Sequence, residues 1–197
     1  MFAQLDTKSV YSFMDSVVDL NTYVKRAKEL GYQSIGLMDR DNLYAAYHFA
    51  QLAIRNGLRP LIGTEANLFY EGRKIPFRLL AKNNQGYKNL MKLATELSSG
   101  QREFTYFSDY LNDIALILPS EDWEPGMSLG SEVFIGVRPE DAGKEFDYPV
   151  VPLHTVRYFE NADRSTIQTL HAISQNVSLS EVSICPMNQL LFSAKEM

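Results

Sequence analysis

Residues 36–42 read GLMDRDN and lie where a predicted strand passes into a predicted helix. The run just before the charges, residues 34–38, is nearly all apolar, which is typical of a strand buried on both faces of a parallel sheet. Asp39, Arg40 and Asp41 interrupt it, and a helical pattern follows. Because α/β enzymes keep their chemistry at the carboxyl ends of strands, this triplet is a candidate active site or the remains of one.

Strand and helix patterns alternate along the rest of the chain. Strands are predicted over residues 2–5, 33–38, 60–63, 75–81, 114–118, 133–137 and 150–154, and helices over 19–31, 42–56, 86–97 and 162–173. A further strand at 66–70 is predicted to pair with 75–81 through the turn at 71–73. Repeated β-α units with short connections predict a parallel, right-handed architecture. We therefore predict an α/β fold, a compact distorted β/α barrel of about seven strands; a doubly wound open sheet is the alternative.

The composition is that of a soluble globular protein. Hydrophobic residues make up 45% of the 197 residues and charged residues 22%, and the net charge of -5 argues against a basic nucleic-acid-binding surface over the whole chain. The lone cysteine, Cys185, allows no internal disulfide and is predicted to be a small buried apolar residue. No apolar run approaches the ~18 residues of a membrane span and no signal peptide is visible, so we expect a cytoplasmic protein.

Charged residues also follow other predicted strands: Asp6, Lys8 and Asp15 follow the first, Glu65 lies just past the third, and His154 and Arg157 close the last. The carboxyl ends of barrel strands converge on one face, so these side chains are candidates for a shared site. No glycine-rich dinucleotide motif, P-loop or Cys-x-x-Cys pair is present. His48 and His171 lie inside helix patterns and are predicted to pack or face solvent, and a structural role is also favoured for His154.

Five stretches of the sequence resemble a known family. They are FAQLDTKSVYSFMDS at 2–16, IGLMDRDNLYAAYHFAQLAIRNGLRPLIGTEANL at 35–68, LLAKNNQGYKNLMKLATELS at 79–98, VRYFENADRSTIQTLHAI at 156–173 and LLFSAKEM at 190–197. Together they resemble the PHP (polymerase and histidinol phosphatase) domain of bacterial DNA polymerase III alpha chains, of the type without an inserted exonuclease. The resemblance implies a single PHP domain over residues 1–197, the N-terminal part of a longer polymerase chain.

The resemblance implies a family whose metal-dependent members hold a centre of up to three divalent metals. The positions of the family's His-x-His, Asp-His-Gly and Asp-x-His motifs read Asp6-Thr7-Lys8, Asp39-Arg40-Asp41 and Thr155-Val156-Arg157, and Pro76 replaces another histidine. Only Asp15 and Glu65 match positions that hold metal ligands in the family. Asp39 matches the aspartate of the family's Asp-His-Gly motif, next to a ligand position. The centre is therefore expected to be degenerate.

The substitutions predict a domain without metal and without catalytic activity. Ammonium and guanidinium groups cannot ligate a metal, and without metal no hydroxide nucleophile forms at neutral pH. We expect Lys8, Arg40 and Arg157 to compensate Asp15 and Glu65 through salt bridges. The alternative is a residual metal-dependent 3′-5′ exonuclease or phosphoesterase using Asp15, Asp39, Glu65 and His154. A free-standing binding module is a third possibility.

The resemblance also implies partners. The parent chain would be a DNA-directed DNA polymerase that extends primer-template DNA using magnesium in its palm, outside these residues, and this domain would hold no cofactor. In related chains the domain packs against the polymerase body, and in some it docks a proofreading subunit. No membrane association is expected.

Overall fold

The computed structural model describes residues 3–100, 103–130, 132–160 and 162–182. Within them the strands and α-helices, in chain order, are β1 Ala3–Gln4, β2 Asp6–Thr7, α1 Leu20–Glu29, β3 Ser34–Arg40, α2 Ala46–Arg55, β4 Arg59–Tyr70, β5 Arg73–Ala81, α3 Asn84–Ser98, β6 Ile114–Pro119, β7 Val133–Val137, β8 Val150–Pro152, β9 Thr155–Val156 and α4 Asp163–Gln175. Short 3-10 helices occupy Phe104–Tyr110, Ser120–Asp122 and Pro139–Asp141.

Seven strands form one sheet in the order β1-β3-β4-β5-β6-β7-β8, and β2 pairs with β9 in a second, two-stranded sheet. The prediction of an α/β fold of the distorted-barrel class with about seven strands is confirmed. The predicted hairpin through residues 71–73 is present, and β5 runs antiparallel to both β4 and β6, so the predicted parallel architecture does not extend to β5. A two-residue turn, Glu71-Gly72, joins β4 to β5, and both of its residues have positive φ, as tight hairpin turns require.

Several predicted boundaries differ from the structure, and three of them affect the description that follows. The predicted strand 60–63 is the beginning of β4, which continues to Tyr70, so Glu65 lies inside the strand rather than past its end. Strand β4 is longer because residues 63–70 pair continuously with β5. Helix α2 begins at Ala46, later than predicted, and β8 ends at Pro152 before the short β9. Phe2, at the start of the first predicted strand, lies outside the described residues.

The described residues group into two compact units. The first comprises those within 1–40, 44–61 and 154–197, and the second those within 41–43 and 62–153.

In the first unit Asp19 caps α1 by accepting a hydrogen bond from the Thr22 amide at 2.9 Å. Tyr23 of α1 is buried and stacks on Phe49 and Phe159, with ring centroids 5.8 and 6.0 Å apart. This aromatic group anchors α1 in the first unit's core.

Two contacts fix the start of the chain in the first unit. The Tyr23 hydroxyl donates to the Gly36 carbonyl at 2.9 Å and accepts from the Thr7 hydroxyl at 3.0 Å. A Cβ at Gly36 would collide with the carbonyl oxygens of Leu5 and Gln4. Glycine is therefore required here by close backbone approach, and the first residues lie tightly against β3.

The second unit has its own hydrophobic core, formed by α3 and the short helix Phe104–Tyr110 with β4 to β7; its fully buried members include Phe77, Leu79, Leu90, Phe107 and Ile135. Asn83 caps α3 by accepting from the amides of Gln85 and Gly86 at 2.8 and 3.0 Å. No helix in the described part of the chain is long and apolar enough to cross a membrane.

Candidate functional site

A buried lysine follows β2. The Lys8 side chain has no exposed surface, and its Nζ lies 2.8 Å from Asp6 Oδ1. Nζ also donates to the Met38 carbonyl at 2.6 Å, and the Thr155 hydroxyl donates to Asp6 Oδ2 at 2.6 Å. The ammonium group therefore neutralises a carboxylate that is itself fully buried, which burial requires.

Asp39, the next-to-last residue of β3, holds the loop that follows β2. Its Oδ1 accepts from the Ser9 amide at 2.6 Å and the Ser12 hydroxyl at 2.7 Å, and its Oδ2 accepts from the Ser9 hydroxyl at 2.7 Å. The Arg40 amide in turn donates to the Ser12 hydroxyl at 3.1 Å. The carboxylate thus acts as a fastening point between the loop and the end of β3.

Asp15 is the centre of the charge cluster. Its Oδ2 lies 3.0 Å from Arg40 Nη2, and its Oδ1 lies 2.9 Å from Arg157 Nε and 3.0 Å from His171 Nε2. The Asp15 side chain is only 5% exposed. Burial by itself would raise the pKa of Asp15, but the hydrogen bond from His171 and the charges of Arg157 and Arg40 outweigh it and hold that pKa well below its ordinary range.

His171 is the member of this cluster that the sequence did not reveal. It was predicted to pack or face solvent as a helix residue, yet its ring nitrogen reaches Asp15. One signal was available: Ile167, one turn earlier on α4, is buried, and residues four apart share a helix face. That face of α4 is directed to the interior of the first unit, and His171 lies on it.

Glu65 belongs to the second unit and pairs across the hairpin. Its Oε2 lies 3.2 Å from Arg78 Nη2, with both side chains buried, and the two residues are opposite each other in β4 and β5. Arg78 was not among the predicted site residues. The pairing of Arg78 with Glu65 can be predicted from the hairpin, because the two residues are each five positions from the strand ends at Tyr70 and Arg73. Pro76 lies in β5, and its carbonyl accepts from Arg78 Nη1 at 2.6 Å.

The three residues of the opening triplet do three different things. Asp39 fastens the loop and Arg40 pairs with Asp15, as described above. Asp41 belongs to the second unit, where its amide donates to the Glu65 carbonyl at 2.8 Å and its carboxylate accepts from the amide and side chain of Asn67 at 3.3 Å. Each charge of the triplet therefore has a structural partner within its own unit.

The other histidines and the cysteine that the sequence singled out are placed as follows. The His154 carbonyl accepts from Gln4 Nε2 at 2.5 Å, which ties the start of the chain to the segment between β8 and β9. His48 is exposed on α2, which is one of the two roles, packing or facing solvent, predicted for it. Cys185 lies outside the described residues.

A family comparison decides the assignment. The family described as the PHP domain matches residues 4–125 of this chain, which is more than half of it. The chain belongs to the PHP domain family. The predicted family resemblance is thereby confirmed.

The relatives of this chain are much longer proteins, and the chain matches only a part of each. A DNA polymerase III subunit alpha of Streptococcus pyogenes serotype M1 is 44% identical over 199 residues, covering 100% of this chain and 19% of the relative. One from Bacillus subtilis (strain 168) is 33% identical over 126 residues, covering 61% of this chain and 11% of the relative. Among solved structures, an amidohydrolase from Chromobacterium violaceum aligns with a TM-score of 0.41 and 18% identity, covering 49% of this chain and 33% of that one. This chain thus spans about a fifth of the length of the S. pyogenes protein.

The donor set of this PHP domain does not fit the metal centre of metal-dependent family members. Both Asp15 oxygens face N–H donors, two of them on guanidinium groups, which cannot ligate a metal and repel one at close range. The ammonium of Lys8 lies 2.8 Å from Asp6 Oδ1, and an ammonium group cannot ligate a metal. In residues 3–100, 103–130, 132–160 and 162–182, no three His, Cys, Asp or Glu side chains are grouped so that they could hold a metal ion.

Proposed function

We propose that this chain is the PHP domain of a DNA polymerase III alpha subunit and that internal ion pairs replace the family's metal centre in it. In this proposal residues 1–197 form a single domain with no catalytic activity and no cofactor. Its role is structural: it stabilises the alpha chain and offers surfaces to partners. The 44% identity to the S. pyogenes alpha subunit over the whole chain supports the first part.

The observation that carries the second part is the environment of Asp15. A buried carboxylate needs compensating charge, and in a metal centre the metal supplies it. Here Arg40 and Arg157 contact its two oxygens, and His171 contacts one of them. A divalent ion binding to Asp15 would have to displace these donors and then lie beside two positive charges, which is unfavourable.

Lys8 supports the same conclusion independently. Its ammonium group is fully buried against Asp6 and the Met38 carbonyl. Moving it away would leave Asp6 as an uncompensated buried charge, which typically costs about 3–5 kcal/mol. A lysine held in this way is part of the permanent structure, so the position cannot alternate between an ammonium group and a metal.

The proposed lack of activity follows from the chemistry of phosphoester hydrolysis. A bound metal lowers the pKa of its water enough to form hydroxide near neutral pH and stabilises charge on the phosphoryl oxygens. Arginine side chains can bind phosphoryl oxygens but do not generate hydroxide. The carboxylates of Asp15 and Asp39 already accept hydrogen bonds from the protein itself, so a role as general base would first require breaking them.

The polymerase chemistry in this proposal belongs to the part of the alpha chain outside residues 1–197. That part would extend primer-template DNA with magnesium bound in its palm, in the cytoplasm. The partners of the PHP domain are then the rest of the alpha chain, DNA through that chain, and a proofreading subunit where one docks. The names of the relatives support this assignment.

The activity test uses the full alpha polypeptide. It should extend a primer on a template, and it should neither degrade the primer strand nor hydrolyse a phosphomonoester, with or without added manganese. Primer degradation that is lost in Glu65→Gln or Asp15→Asn, while extension is retained, would contradict the proposed inactivity. Absence of primer extension from a correctly folded full-length chain would contradict the assignment to a polymerase.

A further inference from the structure

The loop after β2 exposes a group of large apolar side chains. Phe13 is 83% exposed, and Val10 and Tyr11 are about half exposed. Single exposed apolar residues are ordinary on protein surfaces, but a group of them marks a place where something binds. Residues 9–14, with the sequence SVYSFM, contain no charged residue.

The loop is held firmly at both ends. Asp39 accepts three hydrogen bonds from Ser9 and Ser12, and Asp15 is fixed by Arg40 and two further donors. Between these anchors Met14 has a φ of 59°, a backbone conformation that residues other than glycine adopt rarely and at a cost in energy. The outward direction of Phe13 is therefore imposed by a strained, well-fastened loop and does not result from local flexibility.

A second apolar group flanks the same strand end. Tyr44, in the turn before α2, and Tyr47, in its first turn, are 80% and 72% exposed. Tyr44 follows Arg40 by four residues, so their Cα atoms lie within about 14 Å of each other, and the Arg40 amide is 3.1 Å from the Ser12 hydroxyl of the loop. We call these five residues the aromatic surface: Val10, Tyr11, Phe13, Tyr44 and Tyr47. All five belong to the first unit.

The aromatic surface has no charges of its own to attract a charged ligand. Residues 42–54, which carry Tyr44 and Tyr47, contain no Asp, Glu, Lys or Arg, like the loop 9–14. Binding of a nucleic-acid backbone depends on lysines and arginines that neutralise phosphates, so the surface does not fit that ligand. Tyrosine and phenylalanine are enriched in the buried centres of protein interfaces, where uncharged residues predominate.

We propose that the aromatic surface is where the rest of the same polypeptide packs onto the PHP domain. This inference rests on the proposed function, in which a polymerase portion accompanies residues 1–197. In the S. pyogenes relative the matched region makes up 19% of the protein, so most of that chain lies elsewhere and has to meet this domain somewhere. Interfaces between domains of one chain bury roughly 600–1,500 Å², enough to cover a group of five large side chains.

The test is site-specific photo-cross-linking in the full alpha polypeptide. Phe13 and, separately, Tyr47 are replaced by p-benzoylphenylalanine, and cross-linked peptides are identified by mass spectrometry. A matched control carries the label at Tyr106, an exposed aromatic residue of the second unit. We expect both test positions to cross-link to peptides beyond residue 197 of the same chain, with a yield that does not depend on protein concentration and is several times that of the control.

Three outcomes would overturn the proposal: cross-links mainly to a second copy of the chain, recognised in a mixture of isotopically light and heavy protein; cross-links to another protein or to DNA; or yields no higher than that of the control. A second measurement avoids reliance on the label. Hydrogen exchange of the cross-linked peptides should speed up in Phe13→Ser/Tyr47→Ser and remain unchanged in Tyr106→Ser; unchanged exchange in the double variant contradicts the proposal. Negative results here leave primer extension and the lack of phosphoesterase activity unaffected, so the proposed function fails or stands separately.

Discussion

Arg40 Nη2 lies 3.0 Å from Asp15 Oδ2, and this contact joins the last residue of β3 to the loop that follows β2. The Asp15 side chain is 5% exposed, whereas that of Arg40 is 40% exposed. The pair therefore lies at the edge of the interior, with the carboxylate inside and part of the guanidinium in water. Arg157, 21% exposed, contacts the other Asp15 oxygen from a more buried position. This difference ranks the two arginines.

Replacing either arginine should destabilise the first unit, and Arg157 should matter more. We expect Arg157→Met to lower the free energy of unfolding by about 2–3 kcal/mol and Arg40→Met by about 1–2 kcal/mol, between the values for buried and exposed pairs. Denaturant unfolding measures both, with Arg138→Met, from the exposed Arg138–Glu121 pair, as a control expected to lose about 0–1 kcal/mol. Double-mutant cycles with Asp15→Asn should show coupling above about 0.5 kcal/mol. Additive cycles for both arginines would mean that the charges act independently and that Asp15 is not compensated by them.

The buried Lys8–Asp6 pair should respond differently to single and double substitutions. Lys8→Met leaves Asp6 buried without its cation and should cost about 3–5 kcal/mol. Lys8→Met combined with Asp6→Asn removes both charges and should recover much of that loss, because a neutral amide costs far less to bury than an unpaired carboxylate. Equilibrium unfolding of the two variants decides this; a double variant no more stable than Lys8→Met would show that the unpaired charge of Asp6 is not the cause of the loss.

The acid sensitivity of the fold should depend on Asp15. Because the pKa of Asp15 in the folded protein lies below its ordinary value of 3.8, the folded state binds its proton less readily than the unfolded state. Its contribution to stability is then fully present above that value and is lost as the pH falls below it. Asp15→Asn should be less stable than the wild type at neutral pH, with a difference that shrinks as the pH is lowered through 4.

A matched comparison in the second unit is Asp141. Hydrogen bonds from Lys144 and Ser120 and from the Arg138 amide lower the pKa of Asp141 to about 2, so its contribution should fade in the same direction. Unfolding measured between neutral pH and pH 3 for Asp15→Asn, Asp141→Asn and the wild type separates the contributions of the two carboxylates to stability. A stability difference for Asp15→Asn that stays constant with pH would contradict the lowered pKa of Asp15.

Gly36→Ala should test the close approach of the first residues to β3. The new Cβ would collide with backbone carbonyls of Leu5 and Gln4, which cannot rotate away as a side chain could, so we expect a loss of about 2–3 kcal/mol. Gly57→Ala is the control: a Cβ there meets nothing within 4 Å, and only its φ of 78° is strained, for about 1 kcal/mol. If Gly36→Ala and Gly57→Ala lose equal stability in thermal unfolding, the contact between Gly36 and the start of the chain is looser than described.

Much of the fold could be predicted from the sequence because local patterns are strong. The helices α1 and α3 have clear apolar faces and side-chain caps at Asp19 and Asn83, and the buried strand β3 contains the apolar run 35–38. The turn at residues 71–73 predicts the hairpin that reverses β5. The antiparallel pairing of β5 with β6 has no such local signal, because α3 separates these strands in the chain and periodicity does not say whether neighbouring strands run parallel.

The site was predicted only in part because partners distant in sequence cannot be seen in local patterns. Arg40 and Arg157 were identified from the motif positions they replace, and both lie against Asp15. His171 comes from a helix 156 residues away from Asp15, and no motif marks it. Arg78 cannot be inferred from a strand that ends before Glu65, because a residue past the strand end has no cross-strand neighbour.

Elemental analysis of the purified alpha polypeptide tests the central claim most directly, since that claim is that cations of the chain occupy the place of the metal centre. Zinc, manganese and iron should be present far below one per chain, and dialysis against each metal should load the wild type no more than Asp15→Asn or Glu65→Gln, because metal held by carboxylates of the polymerase palm is common to all three proteins. Asp15→Asn and Glu65→Gln should leave it unchanged. A stoichiometric amount of any of these metals that falls in Asp15→Asn or Glu65→Gln would contradict the account.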